Sequence, residues 1–168
     1  DRLMHVWLGA FIAGAFMVLS VNAYYIYKNR HLEIAKPSFK IALVVATFFS
    51  FAQLLTGHKS ADGVAKHQPA KLAAMEGHYD SFAAADMYIL VWVDQKNQTA
   101  QGIKVPGGLS FLLHQNFHEP VVGLNAFKPE DRPKQVNAIF QFYHLMVAIG
   151  MALIALTAYA SWQMWRKK

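Results

Sequence analysis

Cysteine is absent from the sequence. That excludes disulfides, thiolate metal sites and cysteine nucleophiles, without fixing a redox compartment. Charge is scarce as well: 15% of the residues are charged, against about 25% in an ordinary soluble domain. The shortage is concentrated in three long apolar blocks, and hydrophobic residues reach 55%. Neither an internal repeat nor a low-complexity tract is present. A length of 168 residues favours one domain. The first residue is Asp1 rather than methionine, and an apolar block follows almost at once. Without a basic leader or a small-residue cleavage pattern, this start reads as part of a longer polypeptide rather than as a signal peptide.

The net charge of +6 sits in two short flanks. Residues 28–40 carry Lys28, Arg30, Lys36 and Lys40 against Glu33, and the C-terminus ends Arg166-Lys167-Lys168. Over 58–138 eight basic residues balance eight acidic ones. A nucleic-acid-binding surface would not be distributed this way. Basic residues beside apolar blocks are instead the mark of a membrane protein oriented by its cytoplasmic charges.

The blocks are long enough for that role, since a span needs about 20 apolar residues. The first runs from His5 to Tyr27, with Tyr24, Tyr25 and Tyr27 at its end, where amphipathic rings suit an interface. The second runs from Phe39 to Gly57, with Pro37 marking a helix start and Gly57 a helix stop. The third runs from about Ala138 to Trp165. The expected fold is an all-α membrane protein. Residues 1–57 form two spans joined by a short cytoplasmic loop, 58–138 an extracytoplasmic loop, and 139–168 a third span with a basic cytoplasmic tail. A soluble helical bundle would show a polar stripe on its helices, and His5–Tyr27 offers only Ser20 and Asn22.

The 58–138 loop is too long and apolar to be a passive connector. After a polar run from His58 to Lys66 comes His67-Gln68-Pro69-Ala70-Lys71-Leu72-Ala73-Ala74-Met75-Glu76-Gly77, which reads as a helix with Pro69 in its first turn. Leu72, Met75, Tyr79 and Phe82 follow the rhythm of one apolar helix face. Tyr88–Val93 is an apolar run of strand type, or a helix end lying on the membrane.

Ionisable residues within a span are functional candidates by default. His5 lies in the first outer turn of span one, where an interfacial histidine bonded to water or a carbonyl is the plain alternative. His144 and Met146 open span three and are both capable of ligating iron. Two residues apart, they point about 200° away from each other around a helix, so one metal cannot take both. Either can pair with His5; bis-histidine chemistry favours His144, and membrane methionines are mostly packing. Lys71 and Glu76 sit at the expected outer boundary. A carboxylate there can take one of the two protons a hydroquinone loses with its two electrons, and an ammonium can hydrogen-bond the developing anion, although a lone Lys and Glu commonly mean a solvated face. The two are about 140° apart around the helix. His67 and His78 are weaker candidates for proton relay. Trp7 and Phe11 are placed to pack on a planar cofactor or simply on neighbouring helices.

Together these residues carry a resemblance. The segment His67–Glu76 resembles the quinol-loop motif of subunit I of the cytochrome bd quinol oxidases. Phe142–Gly150 resembles the span after that loop, Met4-His5 with the helix ending Ala23-Tyr24-Tyr25 the span that opens the unit, and Pro106–Leu112 with Val122-Gly123-Leu124 the return of the loop. The resemblance covers nearly the whole chain, and the loop is similar to that of members lacking the long insertion. It implies that His5 and Met146 are the axial ligands of a low-spin haem b and that Lys71 and Glu76 contact quinol. It also implies a bacterial or archaeal cytoplasmic membrane location, partnership with the rest of subunit I, a second oxidase subunit and lipid, and further haems outside this segment. Histidine–methionine ligation raises the haem potential. His144 stands where a subset of the family carries arginine. The competing expectations are a non-catalytic membrane cytochrome b using His5 and His144, and a transporter segment without cofactor. The spans lack the buried carboxylates and broken helices typical of transporters.

Overall fold

The structure is a computed structural model describing residues 2–166. Asp1 and the tail residues Lys167 and Lys168 lie outside the described residues. The chain divides into two compact units, one formed by 1–60 with 148–168 and the other by 61–147.

Among the described residues, three helices are long and apolar enough to cross a membrane: α1 (Arg2–Tyr27), α2 (Leu32–His67) and α5 (Val136–Arg166). The expected spans are therefore present, with α2 longer at both ends. Its upstream start follows from the turn before it, where Asn29 and His31 adopt positive φ (53° and 50°). The chain has reversed by His31, whose carbonyl takes the N–H groups of Ile34 and Ala35. Pro37 consequently lies inside the helix rather than before it. Gly57 does not stop α2 either, because the following residues to Lys66 include no proline. The stop comes at Gln68, which is excluded from helical torsions by Pro69 and sits at φ −141°.

In the first unit, small residues bring α1 and α2 close. Ala15 and Leu19 pack on Ala42, Leu43 and Ala46, with Ala160 and Met164 of α5 against them. Small side chains are the usual means of close helix approach in lipid. Thr47 and Ser161 share a hydrogen bond of 3.1 Å, while Met17, Phe48 and Leu55 stay exposed, as lipid-facing side chains should.

The second unit holds the loop. Short helix α3 (Pro69–Glu76) precedes a hairpin of β1 (Met87–Asp94) and β2 (Thr99–Val105). Helix α4 (Gly108–His114) and two 3₁₀ turns lead back to α5. Tyr88–Val93 is thus strand, so this hairpin, with an isolated antiparallel bridge between Phe82 and Val121, adds β structure to the expected helical architecture. Asp94 shapes its turn by accepting the N–H groups of Lys96 and Asn97 at 2.9 and 3.2 Å. Alternate β1 residues Val91 and Val93 face inward, meeting Ala73, Ala74, Tyr79, Leu124, Val136 and Phe140 in one core. Tyr79 and Phe82 lie beyond the end of α3, so the expected single helical face stops at Met75.

Candidate functional site

Helix α3 is set by its ends. Pro69 opens it where a missing N–H costs nothing. Gly77 closes it in the left-handed region (φ 72°), and the Gly77 and His78 N–H groups both turn back to the Ala73 carbonyl. A side chain at Gly77 would meet Val93 at 3.0 Å and Phe140 at 3.1 Å, so only glycine fits both the torsion and the space. This tight closure seats Glu76 in the interior, 4% exposed. Burial pushes its carboxyl up to about 7, and a hydrogen bond from the Tyr143 side chain opposes part of that rise. Lys71 remains exposed on the same helix. The structure does not bring the two side chains together, as their spacing around the helix anticipates.

Next to Glu76, His78 is buried and donates from Nε2 to the Asp86 carbonyl at 2.8 Å. Burial, outweighing its backbone bond and the Asp86 charge, holds its pKa down. Its ring stacks on Tyr88 at 4.9 Å. Lys104 pairs with Asp86 at the surface.

On α5, His144 and Met146 take different environments. The His144 ring stacks on Phe140 at 3.9 Å. Its Nε2 lies 2.8 Å from the Tyr88 carbonyl and its Nδ1 3.0 Å from the Phe140 carbonyl, so each ring nitrogen faces a backbone acceptor. Met146 is 56% exposed.

At the start of α1, His5 is held by two side chains of α2. Its Nδ1 lies 3.1 Å from the Thr56 hydroxyl and its Nε2 3.0 Å from the Gln53 amide nitrogen. An iron ligand needs a ring nitrogen without a hydrogen and a second nitrogen anchored by its own bond. His5 is arranged that way, because the Gln53 amide can only donate to Nε2.

A family model described as cytochrome bd terminal oxidase subunit I matches residues 1–168. The chain belongs to that family. It is 36% identical over 155 residues to the putative cytochrome bd menaquinol oxidase subunit I of Bacillus subtilis (strain 168), covering 89% of this chain and 34% of that protein. It is 32% identical over 174 residues to the cytochrome bd ubiquinol oxidase subunit 1 of the same organism, covering 98% and 37%. The bd oxidase structure from Geobacillus thermodenitrificans superposes with a TM-score of 0.83 at 26% identity, over 94% of this chain and 36% of that one. The chain thus spans about a third of the length of the curated relatives it matches.

Within this bd-family segment, several polar partners escape a reading of the sequence for single candidate residues. Tyr143 is one, three residues before Met146 on α5. Gln53 and Thr56 are two more; a pair of polar residues three apart in an otherwise apolar span marks one helix face, and that spacing was the available signal. Trp7 is exposed, and Phe11 stacks on Phe49 at 4.9 Å. Of the two histidines flanking the loop helix, His67 is exposed and only His78 is buried near Glu76.

Proposed function

We propose that this chain is the quinol-oxidising, low-spin haem b-binding segment of a bacterial cytochrome bd-type terminal oxidase. The observation that carries the reading is Glu76: a buried carboxyl with a pKa of about 7, hydrogen-bonded by Tyr143. Oxidation of a hydroquinone releases two protons with two electrons. A carboxylate poised near neutral pH takes a proton from the quinol hydroxyl and gives it up again to water, which an ordinary surface glutamate does less well. Lys71, exposed one turn and more before it, hydrogen-bonds the other polar end of the quinol or its developing negative charge.

His5 and Met146 are the proposed axial ligands of haem b. Haem b held there would supply one-electron redox chemistry between quinol and the oxygen-reducing haems outside this segment. His144, with both nitrogens facing carbonyls, is the poorer ligand candidate, which weighs against a bis-histidine anchor. The basic flanks support a cytoplasmic side for 28–40 and the C-terminal tail, with the 58–138 loop facing outward and releasing its protons there. The rest of subunit I, a second oxidase subunit and lipid complete the assembly.

The test is a redox difference spectrum of the full-length oxidase with quinol titration, comparing Glu76→Gln with the wild type. The expected result is an unaltered haem signal with quinol oxidation slowed by about 10²–10⁴-fold, the usual contribution of a positioned base. Wild-type quinol oxidation in that variant would overturn the assignment.

A further inference from the structure

The hydrogen atoms around His5 can be traced. Thr56 has one hydroxyl hydrogen, and its Oγ1 donates to the Gln53 carbonyl at 3.2 Å. The same oxygen therefore acts as acceptor towards His5, 3.1 Å away, and His5 Nδ1 carries the ring hydrogen. Nε2 is then bare and accepts from the Gln53 amide at 3.0 Å. The opposite amide orientation would place a hydrogen on Nε2 and strip it from Nδ1, leaving Nδ1 dependent on the hydroxyl hydrogen already given to the carbonyl. One detail sets Gln53 apart: its Oε1 is buried without a partner. The amide is thus held at Nε2 from one end only and leaves an unsatisfied oxygen behind. Gly57 and Gly9 border this cluster: a Cβ there would lie in ordinary contact with His5 Cε1 at 3.5 Å and with the Gln53 amide nitrogen at 3.7 Å.

We propose that Thr56 is a positioning residue for the haem, fixing the His5 tautomer so that Nε2 is offered to iron, while Gln53 occupies that nitrogen only until iron replaces it. The inference rests on His5 being an axial ligand. A hydrogen bond to the distal nitrogen of a ligating imidazole fixes the ring's orientation and raises its basicity, and losing it commonly costs 10–100-fold in metal affinity.

The experiment measures low-spin haem content per protein and haem midpoint potential in the full-length oxidase. Thr56→Val is expected to lower haem retention by about 10–100-fold and to shift the potential upward, because a less basic imidazole stabilises the oxidised iron less. Thr56→Ser, which keeps the acceptor, restores both. Thr47→Val removes a hydroxyl of the same helix bonded to Leu43 and Ser161 and leaves both at the wild-type values. Thr56→Ala gives the same readout should the valine variant fail to assemble. Wild-type retention and potential in Thr56→Val or Thr56→Ala, with low-spin haem lost in His5→Ala, overturns the role of Thr56 alone. Low-spin haem surviving in His5→Ala overturns the ligand assignment, and this inference with it.

Discussion

The Tyr143 side chain hydrogen-bonds the buried Glu76 carboxyl, joining the loop helix α3 to the second turn of α5. Burial raises the carboxyl's pKa and the Tyr143 bond lowers it. The net value of about 7 is therefore a balance between an apolar setting and one donor. As a base, Glu76 is active when ionised, so quinol oxidation by the full-length oxidase should rise with pH through about 7. Tyr143→Phe removes the lowering contribution and should move the rising limb to higher pH, while Glu76→Gln should abolish the limb. The readout is kcat/KM for quinol against pH. Superimposable profiles for Tyr143→Phe and the wild type would refute the coupling.

The same balance fixes a sign for stability. The folded-state pKa of Glu76 lies above its ordinary value, so the native state holds the proton more tightly than the unfolded chain between 4.5 and about 7. Stability is unaffected by Glu76 at pH below that window, falls as pH rises through it, and above it carries the full cost of a buried charge, about 3 kcal/mol at 1.36 kcal/mol per pKa unit. Glu76→Gln should then raise the melting temperature of the oxidase in detergent at pH 8 and have little effect at pH 4.5. An equal effect at both pH values would show that the carboxyl is not held neutral by burial.

How far the sequence carries can be seen at particular residues. The three spans were legible because bilayer thickness demands long uncharged blocks, and α1, α2 and α5 contain them. The motif on α3 was legible because Pro69 and Gly77 punctuate it. The extent of α2 was not: Gly57 reads as a stop, but glycine ends a helix only where left-handed torsion is taken up, and Gly57 keeps helical torsion inside α2. The β-hairpin was half-legible, since an apolar run of six residues fits either strand or helix and only tertiary pairing with 99–105 decides. Lys71 is exposed and Glu76 buried; the partners of α3, Phe140 against Ala73 and Ala74 and Tyr143 at Glu76, come from more than sixty positions further along the chain, which no local pattern reports.

Phe140 is the side chain on which that environment depends. It is 1% exposed, packs with Ala73, Ala74 and Val93, and limits the space at Gly77. Phe140→Ala should destabilise the loop by about 3–5 kcal/mol. Gly77→Ala should cost about 1–2 kcal/mol from left-handed torsion alone, with the contacts at 3.0 and 3.1 Å adding to it. Both variants should weaken quinol binding, read as a raised KM, and admit faster hydrogen exchange at the α3 amides. Unchanged exchange in Phe140→Ala would mean that α3 is held by something other than this core.

On the proposed haem site, the surroundings of His144 and Met146 predict opposite outcomes for the two. The two ring nitrogens of His144 face the carbonyls of Tyr88 and Phe140, one of which the N–H of a neutral ring can serve, and the ring stacks on Phe140. Its removal in His144→Leu takes away the ring that faces the Tyr88 carbonyl and should loosen β1 while the low-spin haem spectrum persists. Met146 makes no comparable polar contact and is exposed on α5; Met146→Leu keeps the volume and removes the sulfur, so it should lose the low-spin spectrum with little change in melting temperature. The reversed pattern, low-spin haem lost with His144 and kept without the Met146 sulfur, would require the ring of His144 to leave both carbonyls on binding iron, and would restore the bis-histidine anchor as the better account.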